Sequence, residues 1–124
     1  MNVFHGMMAN ATETTVIDDE ISNSLIAGET VLKSYKLVRD ELVFTNKRII
    51  SLDKQGLTGK KMEVNSIPYR HISRFAKECA GNFDMDEEPK IWVGSSLTPL
   101  TTYKFKKGGK IDEIYKILST IILS

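Results

Sequence analysis

The sequence predicts a small, mainly β domain in which an antiparallel barrel is capped by a C-terminal helix. Three observations predict it. Leu42 to Lys61, LVFTNKRIISLDKQGLTGKK, reads as a tight meander with hardly a spare residue between strands. From Thr30 onward, apolar residues recur mostly with a period of two. Near Lys110 the period becomes helical, placing Ile111, Ile114, Tyr115, Leu118, Ile121 and Ile122 on one stripe. A chain of 124 residues with 41% apolar content is one domain's worth and supports one core.

Each element has a local reason. Residues 1–14 read as a weakly structured lead-in, and residues 15–124 as the domain. Thr15 can cap a short N-terminal helix through about Ala27. Asp18, Asp19 and Glu20 would sit in its first turn, where the helix dipole favours anions, and Gly28 would stop it. Ile17, Ile21 and Leu25 then share the face that packs on the barrel. A first strand follows from Thr30, with Val31, Tyr35 and Leu37 on one face. Arg39-Asp40 turns into a second strand, Glu41–Thr45, and Thr45-Asn46 turns into a third, Lys47–Asp53. Gly56 and Gly59 permit the next reversal.

In the fourth strand Met62 and Val64 take one parity, Ile67 and Tyr69 the other, which predicts a bulge near Asn65-Ser66. Pro68 favours a break, and Tyr69-Arg70-His71 a single helical turn. Strand five is expected over Ile72–Ala80, an acidic loop over Gly81–Pro89, and strand six over Lys90–Gly94. Ile91 and Val93 should point inward and Trp92 outward. Strand seven, Thr101–Lys106, puts Tyr103 and Phe105 inward. The helix runs from Lys110 to Leu123, with Ile114, Leu118 and Ile121 expected against Phe44, Ile50 and Phe105. Pattern alone leaves several small barrels open.

The chemistry is sparse. A formal charge of +1 gives no reason to expect a polyanion, although residues 1–32 carry five carboxylates and no Lys or Arg. The remaining residues hold all 17 basic side chains against 11 acidic ones. Cys79 is single, so an intrachain disulfide is excluded and a reducing compartment fits. The N-terminus lacks the basic region of a signal peptide, and Ile111–Leu123 is too short to span a bilayer. The expectation is a cytoplasmic protein.

Gly56-Leu57-Thr58-Gly59-Lys60-Lys61 lacks the spacing of a phosphate-binding loop. A calcium loop opening at Asp84 would have Pro89 where Gly is needed and Ser95 where a bidentate Glu is needed. His5, His71 and Cys79 have no metal-ligand spacing. His71 and Cys79 would lie about 26 Å apart along a regular strand. Aromatics beside basic residues, such as Tyr69-Arg70 and Arg74-Phe75, read as inward strand positions and not as a nucleic-acid stacking platform. Catalysis, cofactors, metals and nucleic acid are therefore not expected.

The segments FTNKRII (44–50), DKQGLTGKK (53–61), SIPYRHISRF (66–75), AGNFDMDEEPKIW (80–92) and FKKGGKIDEIYKIL (105–118) resemble the bacterial pleckstrin-homology-like family, a likeness spanning Val16 to Leu123. It implies a seven-stranded antiparallel barrel capped by a C-terminal helix. It also implies a non-enzymatic module that forms cyclic homo-oligomers, five-fold for single-domain members. A polar surface where strands of adjacent protomers meet would bind another, unidentified protein.

Within this sequence the candidates for that protein-binding face are Thr45, Asn46, Lys47, Arg48, Gln55, Thr58, Lys60 and Lys61. The acidic N-terminal segment is a candidate for contact with the next protomer. The alternative, peripheral binding of anionic lipid headgroups, rests on Lys33, Lys36, Lys47 and Arg48. Asp40 and Glu41 in the intervening loop argue against it, since carboxylates repel a phosphorylated headgroup. Trp92 also departs from the eukaryotic pattern, which carries a Trp on the final helix.

Overall fold

The computed structural model describes residues 12–36, 39–79, 81, 86–101, 104–106, 108 and 110–124. In chain order the elements are β1 (Thr12–Glu13), α1 (Asp19–Ser22), β2 (Val31–Lys36), β3 (Glu41–Thr45), β4 (Arg48–Gln55), β5 (Lys61–Pro68), β6 (Ile72–Glu78), β7 (Asp86–Val93), β8 (Leu100–Thr101), β9 (Phe105–Lys106) and α2 (Lys110–Ile122). A 3₁₀ turn, Tyr69–His71, separates β5 from β6 as the sequence predicts.

The strands form two antiparallel sheets, β1-β2-β3-β4-β5 and β6-β7-β8, with β9 also on β7. The expected closed barrel is not formed: no ladder joins the sheets among the described residues. Pro68 has no N–H to extend a ladder, and the 3₁₀ turn redirects the chain before pairing resumes. Seven main strands remain, with β8 and β9 as two halves of the last and β1 as a short addition.

The ladder from Arg48↔Pro68 to Gln55↔Lys61 is unbroken, so the expected bulge at Asn65-Ser66 is absent. The change of parity has another cause. Both faces of this sheet are covered, each along a different stretch. Leu42, Phe44, Ile49 and Ile67 face the core between the sheets, whereas Val43, Ile50, Leu52 and Val64 face the N-terminal segment. Ile50 therefore does not meet α2, contrary to expectation. The irregularity lies in β2, between Val31 and Lys33. It sends Val31 to the outer cluster and Tyr35 to the inner one, so the two do not share a face.

Between the sheets, the Tyr35 ring meets Phe44 and Phe105 edge-on at 6.1 and 5.1 Å. Ile111, Ile114 and Leu118 of α2 are buried, with Ile121 packed against the same core. Ile91 is buried and Val93 packs on the core, while Trp92 carries Arg74 over its ring at 4.2 Å.

The N-terminal helix is shorter than expected. Asp18 caps it, its carboxylate accepting from Glu20 N–H at 2.9 Å, and the helix ends at Ser22. Ser22, Asn23 and Ser24 disfavour continuation, and Ser24 Oγ bonds back to the Glu20 carbonyl at 2.6 Å. Ile21 is buried, with Ile17 and Leu25 packed around it on the domain's own sheet. The expected acidic loop is also shorter: β7 begins at Asp86, and Glu87 is buried. Leu37, Ala80, Asp84, Thr102 and Tyr103, given strand or loop roles above, lie outside the described residues.

Candidate functional site

The eight candidate contact residues fall into two groups. Thr45, Asn46, Lys47 and Arg48 occupy the β3–β4 turn, and Gln55, Thr58, Lys60 and Lys61 the β4–β5 turn. The eight residues of β4 hold the groups about 24 Å apart.

In the first group, three side chains are committed inside the domain. Arg48 grips Glu29 with two bonds, Nε to Oε2 at 3.0 Å and Nη2 to Oε1 at 2.9 Å. Its remaining donors reach Ser66 Oγ at 2.9 Å and the Ser24 carbonyl at 2.7 Å. Thr45 is buried. Its hydroxyl lies 2.6 Å from Glu29 Oε2 and accepts from the Lys47 and Arg48 N–H groups. Asn46 ties the turn to the segment before β2, accepting from Thr30 N–H at 2.8 Å and donating to the Gly28 carbonyl at 3.0 Å. Asn46 and Lys47 are both exposed, and of the two Asn46 is held by its bonds within the domain.

The second group is more open. Gln55 Nε2 donates to Asp53 Oδ2 at 3.3 Å, and Thr58 Oγ1 accepts from Lys60 N–H at 3.4 Å. Lys60 and Lys61 are exposed. Gly56 and Gly59 take φ of 75° and 68°, and Arg39 fixes the turn by donating to the Gly56 carbonyl at 2.7 Å.

Burial pushes the pKa of Glu29 up, but the Arg48 and Thr45 bonds outweigh it and bring the carboxyl down to about 2. Glu13 also falls to about 2, through its bonds to Lys110 and Lys33. Lys33 lies 3.4 Å from Glu113 as well, tying β1 and β2 to α2. Asp18 pairs with Lys54 at 3.4 Å. Glu13, Asp18 and Glu29, three of the five N-terminal carboxylates, thus lie against the chain's own domain.

The loop carboxylates behave differently from the expectation. Asp40 accepts from Lys54 N–H at 3.0 Å and Glu41 from Asp18 N–H at 3.2 Å, and both are buried. Burial raises the Glu41 carboxyl. Neither side chain presents itself to an approaching headgroup.

Among the described residues no three His, Cys, Asp or Glu side chains converge as a metal site. His71 and Cys79 flank β6 at opposite ends. No described helix is long and apolar enough to cross a membrane. A cleft of about 380 Å³ opens where β5 approaches β7 and β8, lined by Ile67, Pro68, Val93 and Leu100, with Ser66, His71 and Ser96. No motif announces it.

This arrangement of two sheets with a terminal helix, and the segments that built it, agree with the sequence profile described as Bacterial PH domain, which matches residues 2–122. The chain belongs to that family. It is 45% identical to the uncharacterized protein YjqA of Bacillus subtilis, over 99% of this chain and all of YjqA. A pleckstrin-homology protein from Shewanella loihica superposes with a TM-score of 0.77 at 40% identity, covering 92% of this chain and 98% of that one. A second such domain, from Shewanella amazonensis, gives 0.66 at 43% identity, covering 86% and 85%.

The Glu29–Arg48–Thr45 cluster was not legible in the sequence. Its members are 16 and 19 residues apart, and no spacing rule joins them. The Asp18 cap left a usable signal, an Asp followed by two acidic residues, which the nearby Thr15 obscured.

Proposed function

We propose that this bacterial PH domain is a non-enzymatic scaffold that assembles into a cyclic homo-oligomer, a pentamer, and presents a polar surface to a protein partner in the cytoplasm. The observation that carries this reading is the open architecture. Among the described residues, two sheets with unjoined edges leave rows of backbone donors and acceptors that a neighbouring protomer's strands can satisfy. The fold's charged side chains mostly serve internal ties, which favours binding through edges and exposed turns over chemistry. Lys47, Lys60 and Lys61 are the candidate contacts whose charges point to solvent; Gln55 and Thr58 frame the second turn. Thr45, Asn46 and Arg48 act by shaping the first.

Affinity capture from the native cell tests the surface. Charge reversal at Lys47, Lys60 and Lys61 should reduce recovery of the bound protein tenfold or more without changing the melting temperature. Unchanged recovery would show the face to be elsewhere.

Anionic-lipid binding is the weaker reading, for a reason different from loop repulsion. Arg48 is held by Glu29 and Lys33 by Glu13, so the four basic residues do not form one available patch. Sedimentation with phosphoinositide liposomes is expected to leave the protein in the supernatant. Salt-sensitive co-sedimentation, abolished by neutralising Lys33, Lys36, Lys47 and Arg48, would reverse this.

A further inference from the structure

We propose that the open edge of β5 and the cleft at its C-terminal end take an extended peptide from a partner protein, with an aliphatic side chain next to an acidic one. The inference rests on the scaffold reading and names the partner's chemistry. It assigns β5 to the partner and leaves the other sheet edges for self-assembly.

The first support is the edge itself. β5 pairs with β4 along eight residues and has no strand on its other side among the described residues. Every second residue of an antiparallel edge turns its N–H and C=O outward, and an added strand satisfies them. Edges are commonly protected by charge. Here Lys61 and Glu63 protect the start of β5, whereas Val64 to Pro68 carry no charged side chain.

The uncharged half of the edge adjoins the cleft. Ser66, Ile67 and Pro68 form one wall, and Val93 and Leu100 of the other sheet form the opposite one. Successive side chains of an added strand point to opposite faces, so one aliphatic side chain enters the cleft while its neighbour turns outward past the rim. Pro68 offers no N–H and ends the usable edge.

Charge selects the neighbour. Among the described residues no carboxylate lines the cleft. His71 stands at its rim, and exposed Arg70 precedes it in the 3₁₀ turn. Arg48 reaches the same rim through Ser66 but is already neutralised by Glu29. A carboxylate suits the Arg70 guanidinium and the imidazole donor. A lipid surface supplies the anion but no backbone groups to complete a sheet edge, which favours a peptide.

The test uses the full chain and two fluorescein-labelled pools of octapeptides, one alternating Leu with Glu and one alternating Leu with Lys. Anisotropy should show the Glu pool binding at least tenfold more tightly, and amide exchange should slow at outward-facing positions of β5. Ser96→Trp, which fills the cleft, should weaken binding tenfold or more without altering circular dichroism or melting. Arg70→Glu should reverse the preference between pools. Equal binding of both pools, binding of neither, or protection elsewhere than β5 would overturn the proposal. So would concentration-dependent protection of β5 without peptide, because a second copy would then occupy the edge. Oligomeric mass is read separately, so loss of the ring with β5 protection intact would fail the scaffold reading alone.

Discussion

Replacing Glu29 with alanine is expected to destabilise the fold by about 3 kcal/mol, because it leaves the Arg48 guanidinium partly buried without its partner. The Glu29 side chain is fully buried, and Arg48 retains 20% exposure, which keeps the loss near the low end for a buried pair. Thr45 also loses the carboxylate that its hydroxyl meets.

The same pair has a pH signature. The Glu29 carboxyl sits at about 2 in the folded chain, against 4.5 for the free group. Folding therefore releases a proton between those values, and the stabilisation is complete above pH 4.5 and lost as pH falls toward 2. Glu41 acts in the opposite direction: its raised value favours the folded state below its ordinary range, and that gain is lost as pH rises. Urea unfolding of the wild type and Glu29→Gln across pH 2–5 separates the two. The variant should lose the Glu29 share of the acid dependence and keep what Glu13 and Asp18 contribute. Identical slopes would show that the pair does not govern acid stability.

Leu118→Ala is expected to cost about 2–5 kcal/mol, through a cavity at the centre of the α2 contact. Leu118 is 1% exposed and shares the core with Phe44, Ile114 and Phe105. Thr120→Ala on the exposed face of the same helix should stay within about 0.5 kcal/mol. A loss at Leu118 as small as that would mean α2 does not close the core.

Elements set by adjacent residues were legible. The β3–β4 hairpin, the glycine turn, the 3₁₀ turn and α2 each follow from residues within a few positions of one another. Errors arose where a distant contact decided. Val64 and Ile67 imply a bulge only if one face of the sheet is buried. The N-terminal segment covers the other, and a straight strand results. The irregularity that this sheet does have, at Val31–Lys33, left no comparable change of pattern. Of the candidate contacts, Lys47, Lys60 and Lys61 are exposed in their turns. Thr45 and Arg48 carry the same polar character, but Glu29, far back in the chain, draws both inward.

The central claim is self-assembly into a ring, and multi-angle light scattering behind size exclusion tests it most directly. At micromolar concentration a mass five times the 14.0 kDa of one chain is expected. A single species of 14.0 kDa under those conditions would contradict it.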